Sequence, residues 1–333
     1  MKILTGQKTF KCLPPLNLAT CTKEDIKEYF NNSYDLNESL FLALKDESVF
    51  YVYPDKLRLP LIFYYAHTAV VFINKLILAG LLRKRINLEY ETMFETGVNE
   101  LAWDDTENYR LGGRLQWPCL ADVVKYRIEA RELILKVIED TELHLPITMD
   151  SPWWAVMMGI EHERVHVETS SVLIRQLPVD MVSKPDGWKY GPLNAGEPVV
   201  KNKMLAQNET TVVEIGKPSN HPSYGWDIDY GHDSWSVPPF EANQFPVTNR
   251  EFLEFVKDGG YSQQALWTHE GWTWRESAET KHPVFWVCRA GFDLSDCNGG
   301  GIGCGSSSSD ESGSRNKDSN SSSNTCINVY ISY

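Results

Sequence analysis

Residues 162–169 read His-Glu-Arg-Val-His-Val-Glu-Thr, and no other stretch of the chain carries as much chemistry. On a helix His162 and His166 project from one face, one turn apart. Two neutral imidazoles placed in this way are a ligand pair for a metal ion. At about 100° per residue, His162, His166, Thr169 and Leu173 form one stripe. Glu163 lies about 100° from His162, beside the stripe. Glu168 lies about 200° from His166, which excludes it from a shared coordination shell on a regular helix. It is left a supporting or interhelical role, next to Thr169.

The same letters fit His-Glu-x-x-His, in which two histidines hold zinc and the Glu, here Glu163, acts as the base of a peptidase. That chemistry needs a third ligand downstream. Here the helix ends at Pro178, and the following Ser183-Lys-Pro-Asp-Gly-Trp supplies neither of the usual patterns. Upstream, His67 stands among apolar residues. A lone histidine in that setting is most simply a satisfied core residue, yet it must find a partner or a metal. The pair at 162 and 166 shifts the balance toward a facial set of His67, His162 and His166, because bundle metal sites are built from facing helices. Such a set leaves coordination positions open, which suits Fe(II) and would also suit a zinc hydrolase.

The elements that must position these residues can be read from caps and periodicity. Thr22 before Lys-Glu-Asp-Ile is an N-cap with an acidic first turn, predicting a helix over 22–46. Leu59–Leu82 is apolar for much of its length, with Pro60 tolerated near its start. His67, Asn74 and Lys75 interrupt it, so a buried bundle helix is expected rather than a membrane span. Pro118 opens a third long helix through Val123, Ile128, Leu133, Ile134, Val137 and Ile138. Ser151-Pro152 opens a fourth, ending near Leu177 before Pro178. These predict a four-helix-type bundle over 20–180. From 181 to 209 Pro, Gly and Asn dominate, which reads as a linker. Thr211-Val-Val-Glu-Ile predicts a strand, 221–236 a long loop, and Glu241–Val247 a second strand. Thr248-Asn-Arg-Glu251 is a capping box opening a short helix to Lys257, stopped at Gly259-Gly260. The aromatic stretch Trp267–Trp286 belongs to a loop-rich α+β domain over 210–289, whose apolar side chains would be adhesive if left exposed. Residues 290–333, rich in Gly, Ser and Asn, predict a disordered tail.

The 333 residues are 42% hydrophobic with 11 Trp, enough for a substantial core, and the net charge of −13 argues against a nucleic-acid partner. Met1–Thr20 has no continuous apolar run of the secretory kind. Seven irregularly spaced Cys fit reduced thiols and a cytoplasmic location, with the sequons at Asn31, Asn37 and Asn208 idle.

Longer motifs carry a resemblance. Glu161–Pro178, with His-x3-His-x-Glu at His162, His166 and Glu168, resembles the iron-site helix of the ovothiol-pathway histidylcysteine sulfoxide synthases, relatives of the ergothioneine sulfoxide synthases. Leu59-Pro-Leu-Ile-Phe-Tyr-Tyr-Ala-His-Thr68 resembles the segment that brings the third ligand, which fits His67. Phe94-Glu-Thr-Gly-Val-Asn-Glu100 with Trp103-Asp-Asp105 is similar to the family too. So are Gly225-Trp-Asp-Ile-Asp, Phe245-Pro-Val-Thr-Asn-Arg-Glu-Phe and Gly259-Gly-Tyr, which resemble formylglycine-generating-enzyme folds. The likeness spans roughly 20–288. It implies a DinB-like four-helix bundle followed by a C-type-lectin-like domain. It also implies an Fe(2+) enzyme that joins a cysteine thiol to a histidine imidazole carbon with O2 oxidising the sulfur, acting on small molecules with no membrane partner. The family continues its second domain past the equivalent of Trp286, including a catalytic tyrosine region, and the tail after Arg289 resembles nothing in it. The expectation is therefore a partial second domain, no assignable catalytic residue beyond the metal ligands, and a metal site without full synthase activity. A non-catalytic metal-binding or interaction fragment is the other reading.

Overall fold

A computed structural model of the chain describes residues 10–55, 58–95, 116–185, 187–188, 202–287 and 330–331. The Trp103-Asp-Asp105 motif and almost all of the expected tail over 290–333 lie outside the described residues. The chain is a mixed α plus β protein that divides into two compact units. One contains residues 1–190 and 212–237, and the other 191–211 and 238–333. This is not the single cut at 181–209 read from composition, because the 212–237 segment groups with the helices.

The first unit is built on four long helices: α1 (Lys23–Phe41), α2 (Leu61–Leu78), α4 (Leu120–Asp140) and α5 (Trp153–Arg175). A short α3 (Leu88–Met93) follows α2. Local chemistry sets the ends. Thr22 caps α1 in a box with Asp25, Asn87 caps α3 by accepting from the Tyr90 amide, and the Ser151 hydroxyl accepts from the Trp153 amide at the start of α5. Pro60 precedes α2, where a missing N–H leaves no bond unmade. By length and hydropathy α2 could cross a membrane, but 83% of it is buried inside the unit. It packs along α5 and against α4, and α1 packs along α5. Gly159 of α5 permits a close approach to α2, since a Cβ there would overlap the Phe72 ring. The core is aromatic at this level: Phe30 meets Phe72 edge-on at 5.7 Å, and Phe41 lies 4.9 Å from Tyr65. Two strands pair here, β2 (Thr211–Ile215), which lies in this unit from Val212 on, and β3 (Asp233–Val237). β3 occupies part of the stretch expected to be loop.

In the second unit β1 (Met204–Gln207) pairs antiparallel with β4 (Phe240–Asn243), Met204 opposite Asn243. β1 falls within the stretch read as linker. The Thr248–Glu251 capping box opens α6 (Asn249–Lys257), as its letters predict. A further helix, α7 (His269–Ser277), begins at a Thr268 cap inside the stretch read as loop-rich. Leu253, Val256, Tyr261 and Trp286 form the small core of this unit. The short strands β5 (Trp286–Val287) and β6 (Tyr330–Ile331) pair antiparallel.

Candidate metal centre

His67 is the seventh residue of α2, and His162 and His166 lie mid-way along α5. The packing of α2 on α5 brings them together. One ring nitrogen from each lies within 4.8 Å of the other two, and the ring centroids are 4.5 to 5.1 Å apart. His67 is buried at 5% exposure. Its Nδ1 is 2.6 Å from the Phe94 carbonyl oxygen. A carbonyl only accepts, so Nδ1 carries the proton and Nε2 keeps its lone pair. The Nδ1 atoms of His162 and His166 are buried with no hydrogen-bond partner among the described residues.

Burial holds all three imidazoles neutral. It pushes His67 down to about 4, against a partial opposite effect of the Phe94 carbonyl. Burial, reinforced by His67, pushes His166 down to about 3. His162 is held well below the ordinary histidine range by burial and then by His166, His67 and Lys75. Neutral imidazoles with free lone pairs are the form that binds metals. Three of them crowded together, two with an orphaned ring nitrogen, fit a metal ion better than they fit a satisfied core. Phe63 stacks on His67 at 5.0 Å, and the Tyr64 ring lies 6.3 Å from His166. An apolar wall of this kind limits solvent access to a bound ion.

The remaining site expectations fare differently. Glu168 and Thr169 are exposed on α5 and are not brought into the cluster. Glu163, the base a zinc peptidase would need, is 1% exposed. Its carboxylate accepts from Arg127 Nη2 at 3.1 Å and from Asn37 Nδ2 at 2.7 Å. Both bonds fall on Oε1, which ties the carboxylate of the peptidase reading into a buried ion pair, while Oε2 is buried with no hydrogen-bond partner among the described residues. The sequon at Asn37 is likewise buried in this pairing.

Two features escaped the sequence reading. The Phe94 carbonyl is a backbone acceptor, which no residue letter advertises. Arg127 did leave a signal, since it occupies a core position in the α4 stripe of Val123, Ala130, Ile134 and Val137.

Comparison with known proteins finds relatives for parts of the chain. Residues 197–291 match the Sulfatase-modifying factor enzyme 1-like domain. The chain is 30% identical over 138 residues to hercynine oxygenase of Mycolicibacterium smegmatis, covering 41% of this chain and 31% of that protein. It is 44% identical over 137 residues to hercynine oxygenase of Mycolicibacterium thermoresistibile, covering 41% and 30%. A 149-residue match to Ergothioneine biosynthesis protein 1 of Neurospora crassa is 21% identical and covers 42% and 17%. Parts of the chain are thus similar to hercynine oxygenases, to an ergothioneine biosynthesis protein and to the sulfatase-modifying factor domain. Each match spans less than a third of the relative's own length. Among the described residues, the three-histidine cluster is a group that could hold a metal ion.

Proposed function

We propose that this chain is a non-haem iron(II), O2-dependent sulfoxide synthase of the thiohistidine type. It would join a cysteine thiol to an imidazole carbon of histidine, with His67, His162 and His166 as the iron ligands. The observation that carries the reading is the neutral three-histidine cluster in a chain similar over part of its length to hercynine oxygenases. The proposed reaction balances. The thiol and the imidazole carbon each give up a hydrogen, one oxygen atom of O2 enters the sulfoxide, and the other leaves as water. Fe(2+), when bound, supplies the one-electron chemistry that activates O2 and a charge that favours the thiolate form of sulfur.

The protein's own contribution is positional. The Phe94 carbonyl fixes the His67 tautomer and ring orientation. Depressed imidazole basicity keeps protons off the cluster at neutral pH. The Phe63 and Tyr64 rings limit water on their side of the cluster. With this reading come a DinB-like architecture for the first unit, a C-type-lectin-like one for the second, and a cytoplasmic setting in which cysteine substrates stay reduced.

The test is anaerobic loading with Fe(II), followed by O2 uptake and mass analysis with cysteine or γ-glutamylcysteine as thiol and histidine or hercynine as imidazole. The expected product has the summed mass of thiol and imidazole, less two hydrogens, plus one oxygen. Iron binding with no such product from any pairing overturns the proposed reaction and leaves the other sequence expectation, a metal site without synthase activity. Peptide hydrolysis by the zinc-loaded chain would favour the peptidase instead.

A further inference from the structure

A second buried constellation lies beside the metal cluster and takes no part in holding an ion. Arg127 of α4 is fully buried and reaches the three other long helices of its unit. Its Nη1 donates to the Tyr65 carbonyl at 2.6 Å and to Thr68 Oγ1 at 3.0 Å, both on α2. Its Nη2 donates to Glu163 on α5 at 3.1 Å, and its Nε to Glu38 on α1 at 3.3 Å. The guanidinium also lies over the Tyr34 and Tyr65 rings at 4.3 and 4.7 Å. Asn37 of α1 makes a parallel bridge, donating to Thr68 at 3.2 Å and Glu163 at 2.7 Å. Thr68 directly follows His67, and Glu163 directly follows His162. Two bridges therefore tie the residue after one histidine to the residue after another.

The composition of α2 shows why this matters. Fifteen of its 18 residues are buried, so apolar packing alone specifies its rotation and axial position poorly. A slip of one residue is a shift of about 1.5 Å, whereas a ligand set must be held within about 0.5 Å. Buried charged groups contribute little net stability compared with apolar replacements, and their best-attested use is to fix register.

We infer that Arg127, with Glu163, Glu38, Asn37 and Thr68, is a positioning device that sets the register of α2 against α5 and so preorganises the three histidines for metal. The inference rests on the cluster binding a metal, and not on the reaction performed there.

The test titrates the full chain with Co(II), read by its visible absorption bands, in three variants. Arg127→Met with Glu38→Gln and Glu163→Gln removes the buried charges together at similar volume. Thr68→Val removes one acceptor shared by both bridges. Ile134→Val shortens a core side chain of α4 outside the network and serves as the packing control. The expected result for the triple variant is a cooperative helical fold with Co(II) affinity lower by about 10- to 100-fold and altered bands. Thr68→Val should lose about twofold to tenfold, and Ile134→Val should bind like the parent. A folded triple variant with parental affinity and bands overturns the inference. If the triple variant does not fold, parental Co(II) binding by Thr68→Val overturns it alone. Failure of the parent chain to bind Co(II) would instead remove the metal site on which the inference rests.

Discussion

The Phe94 carbonyl oxygen sits 2.6 Å from Nδ1 of His67, so a backbone acceptor just beyond α3 decides which nitrogen of an α2 histidine is free. What holds Phe94 there is also polar. The Glu91 carboxylate accepts from the amides of Ile86 and Asn87 and from Arg85 at 2.8 to 3.1 Å. Asn74 of α2 donates to the Glu91 carbonyl at 2.9 Å. The orientation of His67 is thus anchored to its own helix through the short α3.

Glu91→Ala should therefore loosen α3 and weaken metal binding without touching a ligand. The expected loss is about 10- to 100-fold in affinity, the usual scale for removing support behind a metal-binding histidine. Isothermal titration with Co(II) measures it. An unchanged affinity would mean that Phe94 does not depend on Glu91 for its place.

The metal-free protein should lose stability in mild acid through its histidines. Their folded basicities are depressed, so their contribution is fully present above the ordinary value of about 6.5. It declines as pH falls from there through about 4 for His67 and about 3 for His166. The slope is at most about 1.4 kcal/mol per pH unit for each histidine. Urea midpoints of the metal-free parent and of His166→Phe, compared between pH 7.5 and 5, isolate this term from the carboxylates. The parent should fall more steeply, and parallel curves would contradict the assignment of His166 as a neutral, half-buried group.

Gly159→Val should force α2 and α5 apart at Phe72. Overpacking of this kind costs about 1–3 kcal/mol, and the widening should also lower Co(II) affinity because the same helix pair carries the ligands. Chemical denaturation and metal titration of one variant read both effects. The expected stability loss with parental metal affinity would separate helix spacing from the site.

In the second unit, Thr248→Ala removes the hydroxyl that accepts from the Glu251 amide at the start of α6. A loss of about 1 kcal/mol of local stability is expected. Hydrogen exchange of the α6 amides should quicken, with protection in α2 and α5 unchanged.

The balance between what was legible and what was not follows from the physics. His162 and His166 were readable because four-residue spacing on a helix has one geometric meaning. His67 was readable because a titratable ring in an apolar helix calls for a partner. The Thr22 and Thr248 caps were readable because capping is local. Strand β1 left little trace because all four of its residues are exposed, so no apolar alternation marks it. Helix α7 was hidden because it has no buried face, and its signal reduces to the Thr268 cap. The role of Glu163 depended on Arg127, 36 residues away in sequence. A neighbouring His-Glu-x-x-His pattern suggested a base where the fold has made an ion pair.

The measurement that bears most directly on the central claim is the metal content of the anaerobically purified and Fe(II)-loaded chain, beside His162→Ala/His166→Ala. The account predicts about one iron per parent chain, held by three imidazoles with open positions, and none in the variant, with both proteins equally helical. Equal iron in parent and variant, or zinc retained by the parent in place of iron, would contradict it.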